Sequence, residues 1–121
     1  MRVLVIDDDP WSLRIVTHLL EPRGHTVATA VDLSEARAKL ADLSELELVL
    51  LDITLPGGSG ETLLQEIRAR DPVLAVIAVT ASAMAGDRER FLRQGFTAYL
   101  SKPIDVHSFC ETVEGYLEGD R

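Results

Sequence analysis

Short apolar runs recur along the chain and alternate with segments whose apolar residues have helical spacing. Three of the runs are almost entirely apolar, which is typical of strands buried on both faces of a parallel sheet. The five predicted strands are Val3–Ile6, His25–Ala30, Leu46–Leu51, Val73–Val79 and Phe96–Leu100. Strands and helices that alternate in this way predict an α/β fold, a doubly wound sandwich with helices on both faces of a parallel sheet.

Five helices are predicted between and after these strands. The first should begin at Pro10 with Asp9 as its cap, and Gly24 should close it. Gly86 should weaken the fourth helix, and Gly95 should end it. The other predicted boundaries are Asp32–Leu43, a start at Ser59 or Gly60 after the loop 56–60, and Ala83–Gln94. The residues expected to face inward on the first and last helices are Trp11, Ile15, Val16, Leu19, Leu20, Val106, Phe109, Val113, Tyr116 and Leu117.

Length and composition are those of one globular domain. A chain of 121 residues can bury one core but not two, so we expect residues 1–121 to form a single domain. The net charge of −8 argues against nonspecific nucleic-acid binding, which needs clustered basic residues. The longest apolar stretch is too short for a membrane span, and no signal-peptide core follows Met1. Cys110 is the single cysteine and cannot form an internal disulfide, so we expect a cytoplasmic protein.

Charged side chains stand directly after three of the predicted strands. Asp7 and Asp8 follow the first strand, Asp52 follows the third, and Lys102 follows the fifth. The carboxyl ends of parallel strands meet at one edge of a sheet, and ligands of open α/β folds bind there. Carboxylates are ligands that Mg²⁺ favours, and a carboxylate can also act as a nucleophile. The sequence therefore predicts a divalent-cation site beside a reactive carboxylate.

The residues at the strand ends also match a known pattern. They are, in chain order, Asp7, Asp8, Asp52, Thr80-Ala81 and Tyr99–Pro103. This set resembles the receiver domain of two-component response regulators, and the resemblance extends over essentially the whole chain. It implies a flavodoxin-like sheet of five parallel strands in the order 2-1-3-4-5 with five helices. Around Asp52 and Thr80 the chain is most similar to single-domain receivers and to receivers attached to hybrid histidine kinases.

The resemblance implies a role for each charged residue. Asp52 would accept a phosphoryl group from a histidine kinase or a histidine phosphotransfer protein. Mg²⁺ would be held by the carboxylates of Asp7, Asp8 and Asp52 and by the backbone carbonyl of Thr54. Lys102 would bind the phosphoryl oxygens and supply positive charge where negative charge develops. A receiver assists its own phosphorylation and dephosphorylation, so the resemblance implies a signalling switch and not a turnover enzyme.

The resemblance also implies a conformational switch. The hydroxyl of Thr80 would bond the phosphoryl group, Tyr99 would turn inward, and a pre-existing equilibrium would shift. The output surface would be formed by helix 4, strand 5 and helix 5 and would bind a downstream protein. The donor should dock near helix 1 and the strand-end loops, and the Lys102–Pro103 bond is typically cis in the family. We expect a monomer or a phosphorylation-dependent dimer, without a nucleic-acid or membrane partner.

Each of these residues also has a plainer interpretation. Asp52 could be a helix cap or a surface acid. Asp7 and Asp8 could form a solvated acidic turn, and Lys102 could be an exposed surface cation. Thr80 could be a strand-end residue bonded to the local backbone, and Tyr99 could be an ordinary core aromatic. The histidines lack ligand or relay spacing and are interpreted as surface or helix-end residues: His18, His25 and His107.

One departure from the family pattern and three rival functions remain open. Gly57–Gly60 replaces the acidic loop that is commoner in the family, and we expect this segment to be flexible. A phosphohydrolase with an aspartate nucleophile would need a second acid two residues after Asp52, where this chain has Thr54. The main alternative is a phosphate-independent protein-interaction module on the same fold. A flavin-binding protein has only the fold in its favour, and fold does not imply function.

Overall fold

The computed structural model describes residues 2–42, 45–81 and 84–118, and only the backbone of residues 117 and 118. Strands and helices alternate throughout these residues. The elements are β1 (Arg2–Ile6), α1 (Pro10–Leu20), a 3-10 turn (Glu21–Arg23), β2 (Thr26–Ala30), α2 (Leu33–Lys39), β3 (Leu48–Asp52), β4 (Thr54–Leu55), β5 (Gly58–Ser59), α3 (Gly60–Arg70), β6 (Ala75–Thr80), α4 (Asp87–Gln94), β7 (Ala98–Ser101) and α5 (Phe109–Glu118). No helix in this described part of the chain is both long and apolar enough to cross a bilayer.

Five of the strands form one parallel sheet in the order β2-β1-β3-β6-β7. The two remaining strands, β4 and β5, form a separate short hairpin. Numbered within the sheet alone, the order is 2-1-3-4-5, and the described residues contain five α-helices. The predicted flavodoxin-like, doubly wound fold is therefore confirmed.

Two hydrophobic cores lie on opposite faces of the sheet. Successive residues of a strand point to opposite faces, so Val3 packs with residues of α1 and α5, while Leu4 packs with residues of α2 and α3. Every residue of β3 and β6 is buried. This burial on both faces explains why these two strands read as continuous apolar runs. It also places the end of β3, with Asp52, in the middle of the sheet.

The first helix begins at Pro10, with Asp9 as its cap, as predicted. The Asp9 side chain accepts a hydrogen bond of 3.0 Å from the Trp11 amide, and Pro10 is the first helical residue. Gly24 ends the 3-10 turn that continues α1 and adopts a left-handed φ of 93°. The Asp9 side chain thus caps a helix, which distinguishes its role from that of the neighbouring acids Asp7 and Asp8.

Two of the residues expected to face inward are exposed. Trp11 is 64% exposed, because the buried stripe of α1 consists of Leu13, Val16 and Leu20. Two residues correspond to about 200° around a helix, so Trp11 lies on the side opposite Leu13. Val106 is 49% exposed because it precedes α5, which begins at Phe109. Both predictions were wrong because apolar spacing alone did not fix the phase or the start of these helices.

The fourth helix begins later than predicted. Gly86 precedes α4 as its cap, with a φ of 86°, and does not lie inside the helix. The expectation that Gly86 weakens α4 from within was therefore wrong; the glycine permits the left-handed turn into the helix. Gly95 ends α4 with a φ of 117°, as predicted. The predicted start at Ala83 and the predicted end of the second helix at Leu43 lie outside the described residues.

The glycine-rich segment after β3 forms an ordered hairpin. Thr54 pairs with Ser59 and Leu55 pairs with Gly58, and Gly57 turns the chain with a φ of 84°. Leu55 is buried in the core shared with α2 and α3. The structure therefore has a paired hairpin where a loop without strand pairing was expected.

Candidate functional site

Three charged side chains meet at the carboxyl edge of the sheet. Asp7 follows β1, and Asp52 is the last residue of the neighbouring strand β3, in which Leu51 lies opposite Ile6. The Lys102 ammonium lies 2.9 Å from Asp7 Oδ2 and 3.1 Å from Asp52 Oδ2. Lys102 follows β7, which lies beyond β6 in the sheet, so its long side chain reaches two strands across. The predicted convergence of these residues is present in the structure.

The acidic residues at this edge form a cluster that can hold a metal ion. Carboxylate oxygens of Asp7, Asp8 and Asp52 all lie within 4.8 Å of one another. Asp7 and Asp52 are buried, whereas Asp8 is exposed. This set fits Mg²⁺, which binds proteins through a few carboxylates and keeps several of its waters. Two buried ligands would fix the ion, and the exposed side would leave room for water.

The environment of Asp52 raises the pKa of its carboxyl group. Burial is the largest cause, because it penalises the charged form, and the nearby charge of Asp7 acts in the same direction. The Thr54 amide, 3.0 Å from Asp52 Oδ1, and the Lys102 ammonium both lower the pKa but do not cancel the rise. Desolvation therefore raises this pKa more than the repulsion from Asp7 does.

Lys102 is a positioned cation and not a free surface lysine. Desolvation lowers the pKa of its ammonium group, but hydrogen bonds and charges from Asp7 and Asp52 raise it by more than this. The net effect is a raised pKa. The Lys102 amide also donates to the Thr80 carbonyl at 2.8 Å. The Lys102–Pro103 peptide bond is cis, as the resemblance implied. The site therefore contains a positively charged donor, held near the two buried carboxylates.

Thr80 and Ala81 lie directly beside these groups. Thr80 is the last residue of β6 and is buried, and its neighbour Val79 lies opposite Asp52 in the sheet. Ala81 is exposed. Thr54 is held two residues after Asp52 by its pairing with Ser59. The structure thus brings Thr80 and Thr54 to the edge of the sheet at which Asp52 ends its strand.

Tyr99 is half-buried on β7 and packs against the core that contains α3 and α4. Its ring stacks on that of Phe91, with centroids 5.6 Å apart. Phe91 is buried in α4, and the sequence analysis did not single it out. A signal was present, because Phe91 and Leu92 are the only apolar residues of α4. The contact connects the predicted switch aromatic directly to α4.

A cavity of about 480 Å³ opens beside the acidic cluster. Trp11 and Ile15 from α1 form one wall, and the segment after β7 forms the other. The lining residues are Asp9, Trp11, Ser12, Ile15, Ala81, Lys102, Pro103 and Ile104. The exposed indole therefore stands at the entrance to the site and not in the core.

One histidine departs from the interpretation as a surface residue. The His25 side chain is 8% exposed, and its Nε2 lies 2.7 Å from the Glu114 carboxylate on α5. Arg23 also bonds Glu114, at 2.6 Å, and these partners lower the pKa of Glu114 to about 2. The contact arises because the start of β2 lies beside α5. His18 and His107 are exposed, as expected.

Comparisons with known proteins agree with this geometry. A family model described as "Response regulator receiver domain" matches residues 3–114. The chain is 37% identical over 117 residues to the polar-differentiation response regulator DivK of Brucella anthropi, covering 95% of this chain and 94% of that protein. It is 34% identical over 118 residues to the sensor histidine kinase RcsC of Salmonella typhi, covering 98% of this chain but 12% of the kinase.

A solved structure gives the same result. A CheY-like response regulator receiver domain protein from Methanospirillum hungatei JF-1 superposes with a TM-score of 0.88 and 30% identity, covering 98% of this chain and 94% of that one. Receiver domains are phosphoacceptor signalling modules of two-component systems, and they typically bind Mg²⁺ at an acidic pocket. Such domains interact with histidine kinases and downstream targets. On the sequence match, the fold and the acidic cluster together, this chain belongs to the response regulator receiver domain family.

Proposed function

We propose that residues 1–121 form a receiver that accepts a phosphoryl group from a phosphohistidine onto Asp52 in a Mg²⁺-dependent reaction. The observation that carries this proposal is the contact of one ammonium group, that of Lys102, with two buried carboxylates. Its Nζ lies 2.9 Å from Asp7 and 3.1 Å from Asp52. A structural ion pair needs only one carboxylate beside the lysine. Phosphoryl transfer needs an acceptor carboxylate, a metal site and a cation together.

The proposed transfer is a simple displacement at phosphorus. A carboxylate oxygen of Asp52 forms a bond to phosphorus while the bond from phosphorus to the donor imidazole breaks, and the donor histidine takes up a proton. The product on this chain is an aspartyl phosphate. Asp7, Asp8, Asp52 and the Thr54 carbonyl would hold Mg²⁺, which supplies charge neutralisation for the transferring group.

The residues around Asp52 have separate tasks in this step. The Thr54 amide holds Asp52 Oδ1 at 3.0 Å, which leaves the other oxygen to Lys102. Lys102 lowers the pKa of Asp52 against the effect of burial and so favours the ionised nucleophile. As the phosphoryl group arrives, the ammonium stabilises the negative charge on its oxygens. The chain thus assists its own phosphorylation without being a turnover enzyme.

The signal is proposed to leave through α4, β7 and α5. Thr80 ends the strand next to Asp52, and its hydroxyl would bond the phosphoryl group after transfer. Tyr99 would then turn inward and leave its stacking contact with Phe91, which would change the packing of α4. Phosphorylation would shift an existing equilibrium between two arrangements of this face. The receiving partner would be a downstream protein, with the receiver a monomer or a phosphorylation-dependent dimer in the cytoplasm.

The phosphodonor is proposed to dock over the cavity between α1 and the segment after β7. Exposed aromatic side chains beside apolar walls are typical of protein contact sites. Trp11 is 64% exposed at this cavity, and Ile15 and Pro103 also line it. A histidine kinase or a histidine phosphotransfer protein bound there would bring its phosphohistidine to Asp52.

Intact-mass measurement tests the proposal. The protein is incubated with a small-molecule phosphodonor, with and without Mg²⁺, as wild type, Asp52→Asn and Asp9→Asn. Asp9 is the matched control, because it is a neighbouring acid that caps α1. We expect one acid-labile phosphoryl group on wild type and Asp9→Asn, only with Mg²⁺, and none on Asp52→Asn. If wild type gains no phosphoryl group, the phosphate-independent interaction module becomes the better description.

A further inference from the structure

The first turn of α3 lies directly against the backbone of the proposed phosphoacceptor. Gly60 is the first residue of α3 and is buried. A β-carbon at Gly60 would overlap the Asp52 carbonyl oxygen and would lie 3.1 Å from Leu51 Cγ. The main obstacle is backbone, which cannot rotate away as the end of a side chain can. Only a residue without a β-carbon fits between α3 and the end of β3.

Backbone conformation does not explain this glycine. The described glycines with positive φ are Gly24, Gly57, Gly86 and Gly95, and Gly60 is not among them. Any L-residue can adopt the helical conformation of Gly60, and glycine is locally the poorer choice, by roughly 0.5–1 kcal/mol relative to alanine. The close approach to Asp52 is therefore the reason that a side chain is excluded.

The segment from Asp52 to Gly60 closes on itself. The Gly60 amide donates to the Ile53 carbonyl at 2.9 Å, and the Ile53 amide donates to the Val79 carbonyl of β6 at 3.1 Å. Between these bonds, Thr54 pairs with Ser59 in the hairpin. Both ends of the segment thus meet at the same point of β3. A displacement of α3 would act on Ile53 through the Gly60 bond and so disturb the position of the Thr54 carbonyl relative to the Asp52 carboxylate.

We propose that Gly60 is a positioning residue for phosphoryl transfer. Because Gly60 has no side chain, α3 packs directly against the Asp52 carbonyl. This contact fixes the Asp52 carboxylate relative to the Thr54 carbonyl. The inference rests on the proposed function of Asp52. A misplacement of roughly 1 Å in a reacting group can cost about 100-fold in rate. A β-carbon that pushes α3 away from β3 therefore affects the chemistry and not only the stability.

The test compares Gly60→Ala with two controls in α5. Gly115→Ala adds a β-carbon that meets no atom within 4 Å. Val113→Ala removes methyl groups from a fully buried residue on the other face of the sheet and lowers stability without touching the site. The readouts are the Mg²⁺ Kd, the rate of phosphorylation by a small-molecule phosphodonor, and Tm. Rates are compared at a temperature at which every variant is folded.

We expect Gly60→Ala to phosphorylate at least about tenfold more slowly and to bind Mg²⁺ more weakly. Gly115→Ala and Val113→Ala should keep the wild-type rate and Kd, although Val113→Ala melts earlier. A wild-type rate and Kd in Gly60→Ala would overturn the inference. Equal slowing in Val113→Ala would also overturn it, because the effect would then follow stability.

A measurement on the wild-type protein covers the case in which Gly60→Ala does not fold. In a Mg²⁺ titration followed by NMR, the amide resonance of Gly60 should shift with the same Kd as that of Thr54, and that of Gly115 should stay in place. An unmoved Gly60 resonance beside a shifting Thr54 resonance would count against the inference. If wild type binds Mg²⁺ but takes up no phosphoryl group, the proposed function fails while the titration still tests Gly60.

Discussion

The ring of Tyr99 stacks on the ring of Phe91, with centroids 5.6 Å apart and planes inclined by 30°. Phe91 is buried in α4, and it also meets Phe96 edge-on at 5.5 Å. The guanidinium of Arg90 lies 4.6 Å above the Phe91 ring. Tyr99 therefore cannot change its position without repacking α4, which gives the proposed switch a physical connection to the output surface.

The stacked pair should show a measurable coupling energy. A double-mutant cycle with Tyr99→Leu and Phe91→Leu should give about 1 kcal/mol, because aromatic pairs contribute roughly 0.5–1.5 kcal/mol beyond their buried area. Urea unfolding of the four proteins measures the coupling. We expect a smaller coupling after phosphorylation of Asp52, since Tyr99 then leaves the stack. Additive effects in the unphosphorylated protein would contradict this prediction.

Replacing Lys102 by methionine should separate folding from chemistry. Lys102→Met removes the cation at the two buried carboxylates, and we expect phosphorylation by a small-molecule donor to slow by about 100-fold or more. Mass spectrometry over time measures the rate. Lys39→Met, an exposed lysine at the end of α2, is the control and should keep the wild-type rate.

The same variant has a predicted pH dependence. The pKa of Lys102 is raised in the fold, so its contribution to stability is complete below the ordinary lysine pKa. This contribution is lost as the pH rises through the raised value. The difference in free energy of unfolding between wild type and Lys102→Met should therefore be constant near neutral pH and shrink in strongly alkaline solution. A difference that grows with pH would show that the sign is wrong.

Glu114 should stabilise the protein only above acidic pH. Its pKa is lowered to about 2, first by the hydrogen bond from Arg23 and then by that from His25. A lowered carboxyl pKa contributes stability above the ordinary value of 4.5, and the contribution is lost as the pH falls towards 2. Glu114→Gln should cost about 1 kcal/mol at pH 7, the upper range for a partly exposed ion pair.

Chemical unfolding at several pH values tests the Glu114 prediction. The cost of Glu114→Gln should shrink as the pH falls below the ordinary carboxyl pKa. Glu111→Gln, an exposed position one turn earlier on α5, serves as the control and should have little effect. A pH-independent cost of Glu114→Gln would indicate packing and not charge.

Trp11→Ala should distinguish donor docking from the chemical step. Trp11 is 64% exposed, so its removal should leave Tm nearly unchanged. Transfer from a phosphorylated histidine kinase or phosphotransfer protein should slow at least about tenfold, as expected for an aromatic anchor at an interface. Phosphorylation by a small-molecule donor should keep its wild-type rate. Val73→Ala, at an 81% exposed apolar residue beyond the opposite end of the sheet, is the control.

The fold was predictable because its central strands are apolar at nearly every position. Continuous runs such as those of β3 and β6 leave few alternatives to a buried parallel sheet. The convergence of Asp7, Asp52 and Lys102 then followed from strand direction alone. The parallel sheet and the residues that meet at its carboxyl edge could thus be predicted from the sequence.

The features that were missed depend on tertiary contacts. The position of Trp11 depends on which stripe of α1 meets the sheet, and both stripes contain apolar residues. His25 is buried because Glu114, 89 residues later in the chain, lies beside it. The hairpin after Asp52 formed from a glycine-rich segment because Leu55 could reach the core. In each case a distant partner decided between two locally acceptable structures.

The hydrogen bond from the Lys102 amide to the Thr80 carbonyl has a consequence for signalling. Tyr99 lies on β7 and Lys102 directly follows that strand, so one short stretch of chain holds both the group proposed to stabilise the phosphate and the ring proposed to report it. In the proposed mechanism, a change that loosens this stretch would alter the lifetime of the signal and its strength at once. The duration of the message would then not be tuned independently of its amplitude.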